Sequence, residues 1–243
     1  MPAIFILSTM NNKATIYLIP IPVAEDANET LSTELIKIVP TIKYFFVENL
    51  RTARRFLKSV DKAIDIDACH FIEIDKHNGI DYKTFKDWLK EGRTIGIMSE
   101  AGCPGIADPG SDLVMLAHDH NAKVLPLTGP SSLFLALMAS GLNGQKFAFH
   151  GYIALKHPLR RENIIALEQQ SKKENLTQII IETPYRNDQL MADLLKQLAP
   201  STKLCIAKNV SGKDSFIKTK KVADWKNNPI EIGKVPCVFL LLA

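Results

Sequence analysis

Long apolar runs are missing from this 243-residue chain: the longest, Ile4–Leu7 and Val235–Ala243, fall well short of the ~20 residues a bilayer span needs. The opening residues lack the basic segment of a secretory signal, so no membrane association and no signal peptide are expected. Cysteine is sparse and scattered. Cys69, Cys103, Cys205 and Cys237 form no C-x-x-C pair and have no histidine at ligand spacing, which argues against a zinc site, any other metal centre or a disulfide framework, and for a reducing cytoplasm. Aromatics are only 7%, too few for an obvious single-strand stacking platform. Neither sign of charge dominates, since 30 basic and 26 acidic residues leave +4, which permits a polyanionic partner without requiring one. Three common motifs are also absent. No G-x-x-x-x-G-K-[ST] phosphate loop, no G-x-G-x-x-G after the first strand and no G-x-S-x-G elbow occurs, which disfavours nucleotide hydrolases, dinucleotide oxidoreductases and the commonest serine hydrolases.

What is present is an alternation of short apolar runs with longer amphipathic stretches, the pattern of βα units on a parallel sheet. Strands are expected at Thr15–Ile19, Lys43–Val47, Cys69–Ile74, Thr94–Met98, Lys123–Leu127, Lys146–His150, Gln178–Ile181, Lys203–Ala207 and Val235–Leu242, with helices between them. Ser215–Lys221 reads as an exposed basic edge or turn. Residues 1–9, ahead of Met10 and Asn11-Asn12-Lys13, read as an upstream start or a loosely attached arm. The pattern restarts after Leu127, so the fold class is α/β, built as two small α/β domains, residues 1–127 and 128–243, with a ligand cleft between them.

Ligands of open parallel sheets bind beyond the carboxyl ends of the strands, which directs attention to three loops. Ser99–Gly110 packs three glycines and two prolines into twelve residues together with Glu100 and Asp108, and glycine lets another group approach the main chain closely. A tight loop with Asp108 or Ser111 capping the next helix is the plainer alternative. Thr128-Gly129-Pro130-Ser131-Ser132 places hydroxyls and backbone N–H groups at a helix start, where they suit a polar ligand or a simple N-cap. Glu182-Thr183-Pro184-Tyr185-Arg186 follows an apolar strand, so Glu182 stands at a strand end.

Together, S-E-A-G-C-P-G-I-A-D-P-G, L-T-G-P-S-S and I-E-T-P-Y-R resemble the tetrapyrrole methylase superfamily, and most closely its branch of 16S ribosomal RNA cytidine 2′-O-methyltransferases, with the pattern S-D-A-G-T-P-x-I-S-D-P-G, P-G-P-S-A and Y-E-S-P-H-R. V-E-N-L-R-T-A-R-R is similar to that branch's A-E-D-T-R-x-T-R, and His77-Asn78 match its His-Asn pair. The resemblance implies a homodimer of two-domain subunits that binds S-adenosylmethionine and acts on ribosomal RNA or the small ribosomal subunit. It implies that Val23, Ala101, Gly102, Cys103, Ile106, Ser131, Ser132, Glu182 and Val210 line the cofactor site, and that Arg51 and Arg54 fall on the substrate side. The chain differs from the branch at Pro20–Asp26, where P-T-P-I-G-N-L is expected, at Asn49, at Thr128 and at Asn209–Lys213.

Methyl transfer to a ribose hydroxyl needs in-line alignment and removal of the hydroxyl proton. His77 and Glu48 are the candidate bases, with Glu100 third; as plainer alternatives, His77 is a turn residue and Glu48 pairs with Arg51 or Arg54. Basic clusters at Arg51–Lys58, at Lys156, His157, Arg160 and Arg161, and at Lys213–Lys221 suit a phosphate backbone or a carboxylate-rich porphyrin precursor equally. Carbon methylation of a tetrapyrrole and a non-catalytic descendant that binds S-adenosylmethionine or RNA are the alternatives.

Overall fold

The computed structural model describes residues 13–74 and 79–243. Its described residues divide into two compact units, one comprising residues 13–21 with Leu31–Gly129, the other comprising Pro22–Thr30 and Pro130–Ala243. The boundary thus falls two residues after Leu127, and a nine-residue excursion following the first strand joins the second unit.

The first unit is built on a parallel sheet of β1 (Thr15–Ile19), β2 (Tyr44–Val47), β3 (His70–Glu73), β4 (Thr94–Met98) and β5 (Lys123–Pro126), in the order β3-β2-β4-β1-β5. Adjacent residues of a strand face opposite sides, so a sheet covered on both faces needs continuous apolar runs rather than alternation. Phe45 and Phe46 show this. Phe45 packs with Ile19, Leu35 and Leu57 on one face, and Phe46 with Ile16, Phe85 and Ile97 on the other. Gly96, in the central strand, leaves the space they need: a Cβ there would lie 2.7 Å from Ile19 Cδ1 and 2.8 Å from Phe45 Cδ1. The covering helices are α1 (Thr33–Ile38), α2 (Leu50–Val60), α3 (Tyr82–Lys90) and α4 (Ser111–Asp119). Asn49 caps α2 by accepting from the Thr52 N–H at 3.0 Å, and Glu73 Oε1 accepts from the Leu50 N–H at 3.0 Å. Two of the four N–H groups left over at the helix start are thereby satisfied.

The second unit carries β6 (Phe147–Tyr152), β7 (Thr177–Glu182), β8 (Lys203–Lys208), β9 (Phe216–Lys221) and β10 (Cys237–Leu242), in the order β6-β7-β10-β8-β9. Here the expected parallel sheet is only partly realised. β6 and β7 are parallel, but β10 runs antiparallel between β7 and β8, and β8 pairs antiparallel with β9. The link between β8 and β9 is too short for a crossover, so those strands form a hairpin. The basic segment near Ser215–Lys221 is the edge strand β9, and its lysines are the kind of charge that discourages edge-to-edge pairing. The helices are α5 (Ser132–Ser140), α6 (Leu159–Glu174), α7 (Asn187–Gln197) and α8 (Val222–Asn227). α8 carries no helical repeat long enough to read in sequence; it exists to bury Trp225, whose indole N–H donates to the Leu204 carbonyl at 2.9 Å. No helix among the described residues is long and apolar enough to cross a membrane.

Candidate functional site

In the first sheet, β1 and β4 are neighbours whose onward connections diverge: β1 leads to β2 on one side and β4 leads to β5 on the other. That reversal is the switch point at which loops part and open parallel sheets bind ligands. The two loops that emerge there are tied together. Ile21 and Gly102 form an isolated antiparallel bridge, each N–H donating to the other's carbonyl at 2.9 Å. Gly102 adopts φ +70° and Gly105 φ +78°, in the left-handed region that costs other residues strain. Within the same loop the Ser99 hydroxyl donates to the Ala101 carbonyl at 3.2 Å, and the Ile106 N–H donates to the Cys103 carbonyl at 3.3 Å. The N-cap position of α4 is occupied by Gly110, with φ 132°, rather than by Asp108 or Ser111. Burial pushes the Cys103 thiol pKa up, and the Asp108 carboxylate adds to the rise, so the side chain is a protonated, neutral thiol at physiological pH.

Two of the candidate acids converge here. Glu48, at the carboxyl end of β2, donates its N–H to the Met98 carbonyl at 3.0 Å, and its Oε2 accepts the Glu100 N–H at 3.1 Å. The link joins loops 52 residues apart in sequence. Glu100 itself is exposed, and so are Arg51 and Arg54 on α2; Arg54 lies over the Phe71 ring at 5.7 Å. His77 lies outside the described residues. Thr128-Gly129 closes this unit: a Cβ on Gly129 would lie 2.4 Å from Pro20 Cβ, so Gly129 and the Pro20 turn are packed backbone against ring.

The remaining candidates belong to the second unit. Ser131 stands at the N-cap of α5, but its hydroxyl makes no capping bond; Ser131 and Ser132 are both partly exposed. Val210 is buried in the β8–β9 turn between Asn209 (φ 49°) and Ser211 (φ 68°), and the neighbouring Lys213 N–H donates to Asp26 at 3.2 Å. This bond ties the turn to the segment that holds Val23. Glu182 is buried and charge-paired: Arg160 Nη1 lies 3.3 Å from its Oε2 and Arg186 Nη2 lies 2.7 Å from its Oε1. Arg160 reaches Asp193 as well, at 2.8 Å through Nε, and His157 lies 3.3 Å from the same carboxylate. Arg160 therefore leaves the basic surface cluster predicted around it. It is 1% exposed and neutralises two carboxylates that sequence inspection did not link to it. No group of three or more metal-ligating side chains occurs among the described residues.

No family model matches the chain. Its relatives include the ribosomal RNA small subunit methyltransferase I proteins of Halalkalibacterium halodurans (32% identical over 186 residues, 76% of this chain and 61% of that protein) and Buchnera aphidicola subsp. Schizaphis graminum (27% over 227 residues, 90% and 74%). The chain thus spans about six-tenths of the Halalkalibacterium protein's length. Among solved structures it is similar to diphthine synthase (TM-score 0.66, 12% identity, 95% of this chain and 90% of that one) and to uroporphyrin-III-C-methyltransferase from Thermus thermophilus (TM-score 0.56, 15% identity, 94% and 92%). At these identities the two structures show a shared fold.

Proposed function

We propose that the chain, which resembles the tetrapyrrole methylase superfamily and within it the ribosomal RNA small subunit methyltransferase I branch, is an S-adenosylmethionine-dependent methyltransferase that 2′-O-methylates ribose in ribosomal RNA. The observation that carries the reading is the Ile21–Gly102 bridge, which fixes the glycine-rich loop at the switch point of a parallel sheet.

The loop fits the cofactor chemically. Gly102 and Gly105 bring main chain to the loop without side chains, and Ala101, Cys103 and Ile106 supply neutral, mostly apolar contacts. A thiol held protonated does not compete as a nucleophile for an electrophilic methyl group. Bound there, S-adenosylmethionine supplies an activated methyl on a sulfonium. The chain's own task is then to orient the acceptor and take its proton. Glu48 is the base within the described residues, aimed by the Glu100 N–H, and His77 is the second candidate. Arg51 and Arg54 hold the RNA backbone from the exposed face of α2.

A homodimer fits the apolar side chains that α5 leaves open, Phe134 at 52% and Met138 at 78% exposure, and a reducing cytoplasm fits four cysteines that form no disulfide. Calorimetric titration with S-adenosylmethionine, repeated on Gly102→Trp, tests the cofactor assignment: binding in the parent that the substitution abolishes supports it, and binding that survives moves the cofactor elsewhere.

A further inference from the structure

We infer that a pocket at the β6 edge of the second sheet is a binding site for a nucleobase. It lies between the edge strand β6 and helix α6, with a volume of about 380 Å³, at the small end of the ~300–1,000 Å³ typical of ligand pockets. β6 contributes His150 and Tyr152, and α6 contributes Asn163, Leu167 and Gln170 from one side of the helix. The strand is irregular at this point: its pairing with β7 slips between Phe149 and Tyr152, where Gly151 takes φ +61°. Bulges of this kind re-aim side chains beside binding sites. Here the Tyr152 ring is left 55% exposed at the pocket rim.

The polar groups are pre-oriented by a chain whose direction can be worked out from its ends. The Leu167 carbonyl can only accept, so the Gln178 atom 3.1 Å away is Nε2. That nitrogen also donates to Gln170 Oε1 at 3.2 Å, and Gln170 in turn donates to the Glu174 carboxylate at 3.3 Å. The fully buried Gln178 therefore presents its oxygen to His150, 2.6 Å away, and His150 must donate through Nε2. In the Nε2–H tautomer, Nδ1 is then an acceptor. Asn163 is likewise fixed: its Oδ1 accepts the Ala154 N–H at 3.0 Å, and its amide N–H groups have no partner among the described residues. Lysine, arginine, aspartate and glutamate are absent from the lining. A phosphate or carboxylate has no counter-charge there, whereas a neutral planar heterocycle meets all of its features. Ile153 and Leu167 offer apolar contact, Tyr152 a ring to stack on, and Asn163 and His150 a donor and an acceptor for a base edge.

The choice of an unpaired RNA base as the occupant rests on the proposed function; a free nucleotide carries the same chemistry. The test uses the full chain, fluorescein-labelled single-stranded octaribonucleotides of each base, the four free nucleoside monophosphates, and the variants Tyr152→Ala and Ala166→Phe. The first removes the stacking ring and the second fills the pocket from an exposed position of α6. Octaribonucleotide binding weakened at least about fivefold in both variants, with S-adenosylmethionine affinity unchanged, supports the site. Sensitivity confined to the free nucleotides supports the base chemistry and overturns the RNA strand as its source. Binding within twofold of the parent in both variants, or no binding of either probe to the parent, overturns the site. Cofactor binding and methyl transfer, measured on the same proteins, report separately on the proposed function.

Discussion

Ile21 and Gly102 exchange both of their backbone hydrogen bonds at 2.9 Å, joining the loop that leaves β1 to the loop that leaves β4. Because Gly102 does this at φ +70°, the joint depends on a residue without a Cβ. Gly102→Ala is expected to cost about 1–2 kcal/mol of stability, and the β-branched Gly102→Val more, with a larger proportional loss of S-adenosylmethionine affinity. Urea unfolding paired with calorimetry checks this; unchanged binding in both variants would remove the loop from the cofactor site.

Arg160 compensates two buried carboxylates, so its loss should be severe. Arg160→Met leaves Glu182 and Asp193 without that charge and is expected to destabilise by about 3–5 kcal/mol, while Arg160→Lys, which keeps the charge without the fork, loses less. Chemical denaturation gives both values. A loss under 1 kcal/mol for the methionine variant would mean that the network is not structural.

If Glu48 takes the hydroxyl proton, Glu48→Gln should lower the turnover number about 10²- to 10⁴-fold while S-adenosylmethionine affinity stays within a few-fold. Folding should hold, since Gln keeps an acceptor for the Glu100 N–H. Full turnover in Glu48→Gln would pass the role to His77, for which His77→Ala is the matching test.

Cys103 and Cys237 predict an alkylation pattern. Burial raises both thiols, Cys237 to about 12, and raising a thiol pKa lowers the thiolate fraction at any given pH. Iodoacetamide at pH 8 should therefore modify native Cys103 more slowly than a free thiol, with the rate climbing only in more alkaline buffer, and should leave Cys237 untouched until the protein unfolds. S-adenosylmethionine should slow Cys103 further; labelling at an ordinary thiol rate would contradict the buried environment.

Much of this architecture can be read in the sequence because its signals are local. The Phe45-Phe46 pair marks a strand covered on both faces, and Gly102, Gly105 and Gly110 mark a loop with left-handed backbone before either is seen in three dimensions. What escapes is long-range. Arg160 looks like surface charge because its partners stand 22 and 33 residues later, on β7 and α7. The antiparallel insertion of β10 between β7 and β8 likewise depends on pairing that no run of residues announces. The side chains of the edge pocket are individually unremarked in sequence, and only the packing of α6 beside the edge strand β6 brings them together.

The central claim is methyl transfer to a ribose hydroxyl, and the fate of the methyl group tests it most directly. The purified chain would be incubated with S-adenosylmethionine carrying a tritiated methyl and with small ribosomal subunits from a strain lacking the corresponding modification, and the RNA then hydrolysed in alkali. A 2′-O-methyl group removes the nucleophile that alkali uses to cut the adjacent phosphodiester, so the account predicts label in an alkali-resistant dinucleotide. Label released in mononucleotides, or none in the RNA while the cofactor binds, would contradict it.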